Sequence, residues 1–223
     1  MAARLSGFVN GQKRFLGDIA HELCAPIARI QFALGILEQR SAPGTVDDLQ
    51  EEVRQMSSLV GELLSFSKTG MEQSLRQMVP VDVLQISKEA IARESLPADL
   101  AIEPGLMAMA DPDYLLRSIA NLVRNSHRYA GEAGPVTISA RREKSEIAIT
   151  VADSGPGLPP DEAERIFTPF YRLDTSRNRA SGGAGLGLAI VRNCVEACKG
   201  TVRFRNRVPT GLEVEIRLPA ASD

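Results

Sequence analysis

A histidine, an acid and a proline stand together near the amino terminus, in Asp18-Ile-Ala-His21-Glu22-Leu-Cys24-Ala25-Pro26. Around them Phe15, Ile19, Leu23, Ile27, Ile30, Leu34 and Leu37 recur at spacings of three and four, the single apolar stripe of a helix. Each residue turns a helix by about 100°. His21, two positions from Ile19 and two from Leu23, therefore lies about 200° from both and faces water. Glu22 can accept a hydrogen bond from one ring nitrogen, or from a water beside it, leaving the other nitrogen as a free lone pair. An imidazole held in that way is a nucleophile at neutral pH. Pro26 has no N–H for the carbonyl of residue 22 and crowds it, at a cost of about 3 kcal/mol in a helix interior. Taken alone, the same residues also suit an idle surface histidine and a kink that only fits its packing.

Three more groups lie downstream. Asn121 and Asn125 stand four apart on one helical face, with Arg128 and Tyr129 just beyond. Asp153-Ser-Gly155-Pro-Gly157 follows a strand-like run and reads by itself as a plain turn. Gly182-Gly183-Ala-Gly185-Leu186-Gly187 leads into a helix, where exposed N–H groups and the positive end of the dipole suit phosphate.

The elements needed to position these groups fall into two parts. Residues from about Leu5 to Ser67 predict an antiparallel helix pair, broken at Ser41-Ala-Pro-Gly-Thr45, with Thr45 and Asp48 resembling a helix-starting cap. The second helix repeats the stripe with Val46, Leu49, Val53, Met56, Val60 and Leu63. Two such helices cannot bury both stripes alone, whereas two copies can as a four-helix bundle, so a homodimer is expected. The polar run Lys68 to Gln77 separates a second part. There Val79–Val83 is strand-like, Asp82–Glu94 helical, Leu100–Glu103 and Leu106–Ala110 weakly strand-like, and Pro112–Tyr129 strongly helical. Strands over Val136–Ala140 and Glu146–Ala152, a loop-rich region to Ala184, a helix over Gly185–Lys199, and strands Thr201–Asn206 and Leu212–Leu218 complete it. Helices with a largely antiparallel sheet predict an α/β sandwich, making the whole chain α+β. The expected domains are 1–70, a linker over 71–78, and 79–223.

Composition excludes several classes. Of 223 residues, 43% are hydrophobic and 24% charged, ordinary for a globular protein. The formal charge of -2 gives no attraction to nucleic acid. No apolar run approaches the roughly 20 residues needed to cross a bilayer. Cys24, Cys194 and Cys198 make neither a disulfide framework nor a four-ligand zinc site, and the latter two are expected to pack into the core.

His21-Glu22-Leu-Cys24-Ala25-Pro26 resembles the phosphoacceptor box, H-E-x-x-x-P, of sensor histidine kinases, and four further boxes follow in that family's order. Asn121 to Tyr129 resembles the asparagine box, Asp153 to Gly157 the first glycine box, Ile166-Phe167-Thr-Pro-Phe170-Tyr-Arg172 the phenylalanine box, and Gly182 to Val191 the second glycine box. The likeness spans about Leu5 to Leu218. It implies an α/β sandwich of the histidine kinase, gyrase and heat-shock-protein-90 type, ATP and Mg²⁺ as cofactors, and autophosphorylation of His21 followed by relay to an aspartate of a response-regulator receiver domain. On that resemblance Glu22 holds or deprotonates the ring, Asn125 ligates Mg²⁺, Arg128 and Arg172 meet phosphates, and Asp153 accepts from the adenine amino group. The wider nucleotide site would include Asn121, Tyr129, Gly155, Gly157, Phe170, Gly183, Gly185, Leu186 and Gly187, under a lid over Leu173–Ser181. A cytoplasmic fragment of a membrane-anchored receptor, itself making no membrane contact, is the expected setting.

Two departures and two rivals accompany this. Ala25 stands where phosphatase-active members often carry Thr or Asn, and has no hydrogen-bonding side-chain atom, so weak phosphatase activity is expected. Cys24 stands where Arg is common. An ATP hydrolase of the gyrase, MutL or heat-shock-protein-90 kind would need a glutamate where this chain has Asn121, which is no base at neutral pH. A degenerate nucleotide-binding scaffold is the non-enzyme alternative.

Overall fold

The computed structural model describes residues 27, 28, 30, 31, 34, 35, 50, 53, 54, 56, 57, 60–64, 77–130, 133–159, 162, 165–169, 171 and 185–221. The amino-terminal part is helical wherever described. Ile27, Leu34, Val53 and Val60 form its own small core, with Leu63 and Leu64 packed against them. Gln31 Nε2 donates to Ser57 Oγ at 3.3 Å, tying the two helical segments side by side. Ile30 and Met56 show the incomplete burial expected of a lone helix pair. Both belong to the predicted apolar stripes, yet they stay 45% and 46% exposed within one chain. Among the described residues of the hairpin, Ile27, Leu34, Val53 and Val60 are covered and Ile30 and Met56 are not. The predicted turn at 41–45 and the linker boundary lie outside the described residues.

The second part begins with β1 (Val79–Asp82), whose last residue caps α1 (Val83–Glu94). Asp82 Oδ1 accepts from the N–H groups of Leu84 and Gln85 at 2.9 and 3.1 Å, satisfying two donors that a helix start leaves open. The strands β2 (Asp99–Ile102) and β3 (Met107–Ala110) then lead to α2 (Pro112–Ala130), the longest described helix. Asp111 Oδ1 accepts from Tyr114 N at 3.0 Å, and Pro112 fills the first helical position, where no N–H is required. Next come β4 (Thr137–Glu143), β5 (Glu146–Ala152), α3 (Gly187–Ala197), β6 (Thr201–Asn206) and β7 (Leu212–Pro219).

The main sheet runs β2-β4-β5-β7-β6, and β1 pairs with β3 in a small antiparallel sheet. β2 lies parallel to β4; the other ladders are antiparallel. The three helices cover one face of the main sheet. Ile147, Ile149 and Val151 of β5 and Val214, Ile216 and Leu218 of β7 point inward against Leu115, Ile119 and Leu122 of α2 and Ile190, Val191 and Cys194 of α3. The other face of the sheet is polar but not open. Arg141 reaches Glu143 and Glu215, Arg217 reaches Glu215 and Glu143, and Arg205 pairs with Glu213. This ionic lattice roofs Ala148 and Thr150, so the middle of β5 is buried on both faces. The Arg141 hydrogen bond pulls the Glu143 carboxyl below its ordinary range.

Among the described residues, Leu63 packs against the main core and an ion pair also joins the two parts. Arg124 of α2 grips Glu94 through Nε and Nη2 at 2.8 and 2.9 Å and lies 3.9 Å from Glu62 of the hairpin. The Glu94 bond raises the guanidinium further above its already high range.

Two substitutions separate core from lattice. Ile119→Ala, at a fully buried position, is expected to cost about 3 kcal/mol in urea unfolding. Arg141→Ala, on the half-exposed lattice, is expected to cost less than about 1 kcal/mol.

Candidate functional site

Two helices build one end of the site. Asn121 and Asn125 stand one turn apart on α2 and face the first residue of α3. A Cβ on Gly187 would stand 3.1 Å from both Nδ2 and Oδ1 of Asn125 and 3.5 Å from Oδ1 of Asn121. Only a residue with no side chain brings the α3 terminus this close to the two amides. Asn121 is buried, and its Nδ2 donates to Arg117 O at 2.8 Å. Gly185 turns the chain into the helix at φ +70°, and Leu186 drives its side chain fully into the core. Leu186 is the N-cap residue and makes no side-chain cap bond. The first N–H groups of α3 thus lack the usual partner a helix start recruits, beside two amide side chains.

The other end hangs on Asp153, the first residue after β5. It is buried, with Oδ1 accepting from Gly155 N and Leu212 N, both at 3.0 Å. Among the described residues Oδ2 has no hydrogen-bond partner. The two ends meet where Gly155 passes the last residue of α2: a Cβ there would stand 3.0 Å from Ala130 Cα. Arg128 is half-buried and Tyr129 is 47% exposed on the same final turn. The arrangement sets backbone donors and neutral amides at one end of the α2 surface and a fixed carboxylate beside its last residue.

Ile166 and Phe167 anchor the segment leading towards the predicted lid. Both are buried; Phe167 packs on Phe204 at 6.1 Å between ring centroids, and the Arg192 guanidinium lies 5.7 Å over its ring. Tyr171 Oη bonds Glu162, and Arg165 stacks over the Tyr171 ring. His21, Glu22, Cys24, Ala25, Phe170, Arg172, Gly183 and the lid lie outside the described residues. The structure sets Gly187 against Asn121 and Asn125, and Gly155 against Ala130 and Asp153, with Gly157, Gly185 and Leu186 on the flanking loops. Cys194 and Cys198 are buried as expected, and burial pushes the Cys198 thiol up, away from thiolate chemistry.

Sequence reasoning passed over the turn between β6 and β7. Asn206 and Arg207 bond the chain around Asp153 from there. Only the turn-forming Pro209 and Gly211 marked the place, and they say nothing of what the turn touches.

Residues 110–222 match the family described as "Histidine kinase-, DNA gyrase B-, and HSP90-like ATPase", and residues 12–72 match "His Kinase A (phospho-acceptor) domain". The chain belongs to the sensor histidine kinases. Among its relatives, the signal transduction histidine-protein kinase BaeS of Escherichia coli (strain K12) is 33% identical over 95% of this chain and 48% of its own length. The sensor-like histidine kinase SenX3 of Mycobacterium tuberculosis (strain ATCC 25618 / H37Rv) is 35% identical over 94% of this chain and 54% of its own. The crystal structure of full-length ShkA in complex with AMPPNP superposes with a TM-score of 0.74 at 27% identity, over 94% of this chain and 46% of that one. The chain spans about half the length of these relatives. Among the described residues no helix is long and apolar enough to cross a membrane.

Gly187→Ala tests the helix-terminus end. The added methyl must displace the Asn125 amide by a few tenths of an ångström. Calorimetric titration with ATP in the presence of Mg²⁺ is expected to show affinity falling about tenfold, or about 1.4 kcal/mol. The gain in affinity that Mg²⁺ confers on the unaltered chain should shrink with it.

Proposed function

We propose that this chain is the catalytic core of an ATP-dependent protein-histidine autokinase that phosphorylates its own His21 and passes the phosphoryl group to an aspartate of a response-regulator receiver domain. The observation that supports this reading is the packing of Gly187 on Asn121 and Asn125, a helix terminus of the kind that suits phosphate beside an amide whose oxygen suits a hard cation. Its family membership, and the H-E-x-x-x-P box at His21, add the acceptor.

In this reading Asp153 receives the adenine amino group, and the free N–H groups of α3 hold phosphate oxygens. Bound Mg²⁺ would supply positive charge to neutralise the phosphates. Asn125 supplies it one neutral oxygen, which suits a hard cation whose other ligands are phosphates and water. Arg128 and Arg172 neutralise phosphate charge. Glu22 holds the proton on one ring nitrogen of His21, and the lone pair of the other attacks the γ-phosphorus. The new N–P bond forms as the bond to the β,γ-bridging oxygen breaks, and ADP leaves with that electron pair. Positioning and charge neutralisation supply most of the acceleration in such a transfer. Asn121 speaks against the ATP-hydrolase alternative, since a neutral amide whose nitrogen already donates to Arg117 O cannot activate water.

The exposed Ile30 and Met56 support a homodimer through the hairpin, where a second copy would cover both. The domain division 1–70, 71–78 and 79–223 belongs to the same proposal, as do cytoplasmic placement and a membrane-anchored parent.

The decisive experiment incubates the chain with γ-labelled ATP and Mg²⁺. Acid-labile, alkali-stable label is expected on the protein and none on His21→Ala. Label retained by His21→Ala, or brisk ATP hydrolysis in its absence, overturns the reading. Ala25 lacks any atom to orient a hydrolytic water, so dephosphorylation of a phosphorylated receiver domain by this chain should be slow. Ala25→Thr should accelerate it severalfold, measured as phosphate release.

A further inference from the structure

The β6–β7 turn grips both ends of the loop that follows β5. Asn206, the last residue of β6, donates from Nδ2 to Leu158 O at 2.7 Å and accepts at Oδ1 from Leu158 N at 2.8 Å. One side-chain amide thus pairs with both main-chain groups of a residue 48 positions away, as a neighbouring strand would. Gly157 is pressed against the same amide: a Cβ there would stand 2.8 Å from Asn206 Oδ1. At the loop's other end Arg207 Nη1 donates to Asp153 O at 2.7 Å, and Asp153 N donates to Leu212 O at 2.9 Å. Gly211, at φ +120°, runs so close beneath Asp153 that a Cβ would fall 2.2 Å from its carbonyl oxygen. Asp153 is therefore fixed through its N–H, its carbonyl and Oδ1, and only Oδ2 is left to meet a ligand.

We infer that Asn206, seconded by Arg207, is a positioning residue for base selection: it holds the Asp153–Leu158 loop so that Asp153 Oδ2 stands at one place, and thereby sets the preference for adenine over guanine. This rests on the reading of Asp153 as the group that meets the base. Adenine presents an amino donor where guanine presents a carbonyl acceptor. A carboxylate oxygen held still accepts from the first and repels the second. A carboxylate free to move with its loop can swing along the same edge of guanine to its N1–H and N2–H groups, and discrimination falls, because such rejection depends on leaving fixed polar groups unpaired. Asn206 is itself exposed. Each of its two bonds competes with water and adds only a modest increment to stability, so its loss loosens the loop and leaves the core intact.

The full chain, Asn206→Ala, Asn206→Asp, Asp153→Asn and the remote core truncation Ile86→Val are compared in ATP and GTP titrations and in autophosphorylation with each nucleotide. Asn206→Ala should raise the KM for ATP about tenfold, lower the ATP-to-GTP preference about tenfold, and change kcat at saturating ATP less than twofold. Asn206→Asp keeps the acceptor and loses the donor, so it should fall between; it also serves if the alanine variant does not fold. Ile86→Val should lower the unfolding midpoint and leave the preference alone. The inference is overturned if folded Asn206→Ala or Asn206→Asp retains the wild-type KM and preference while Asp153→Asn loses them, an outcome that leaves the proposed function standing. If Asp153→Asn also binds ATP with undiminished preference, the reading of Asp153 fails and this inference with it.

Discussion

The site depends on one close approach, the first residue of α3 against two asparagines of α2 with no side chain between them. Helices normally meet through interdigitated side chains, at interaxial distances of 8–10 Å. Here the contact at Gly187 replaces a knob with bare backbone, so the helix terminus and the amides occupy one small volume. The rest of the domain keeps that contact in register. Asp111 starts α2 at a fixed residue, Arg124 ties its middle to Glu94, and Leu186 locks the entrance of α3 into the core. The Asp153 end is then placed by the sheet, since Asp153 follows β5 directly and β5 is buried on both faces.

Much of this was legible in the chain. The strands and helices of the second part fell within a few residues of expectation because short apolar alternations and glycine or proline stops stood between them. Asp82 shows why a boundary shifted: expected as the first helical residue, it is the cap of that helix. Periodicity marked Ile30 and Met56 as apolar stripe residues but could not name which of the stripe one chain would cover. A helical stripe records which residues are apolar, and it does not say whether they are covered by the same chain. The asparagine and glycine boxes could be recognised one by one, but not their mutual contact, which is a property of helix packing. Asn206 and Arg207 were invisible for a further reason. Their partners are main-chain atoms of residues 48 and 54 positions away, and no side-chain pattern marks an amide that bonds to backbone.

Arg124 shows an asymmetry of the same kind between the two parts. Its two short bonds go to Glu94, inside the nucleotide-binding part, and its longer contact goes to Glu62 on the hairpin. A guanidinium placed in this way keeps its charge paired whichever way the hairpin lies, because the stronger partner travels with it. Were the two parts to separate, Glu62 would exchange a 3.9 Å contact for water, and Arg124 would not be stranded. Buried charges stripped of their partners are strongly destabilising, and this arrangement avoids creating one.

Val208, at 96% exposure on the β6–β7 turn, looks like the natural place to insert a tag or to open new chain ends, since solvent-facing loop tips usually tolerate such surgery. The residues on either side of it bond to Asp153 and Leu158. Cutting the polypeptide at this highly accessible point would therefore loosen a buried carboxylate. Accessibility is a poor guide to engineering in this domain, and a splice at the Lys144–Ser145 turn between β4 and β5 would disturb the Asp153 end far less.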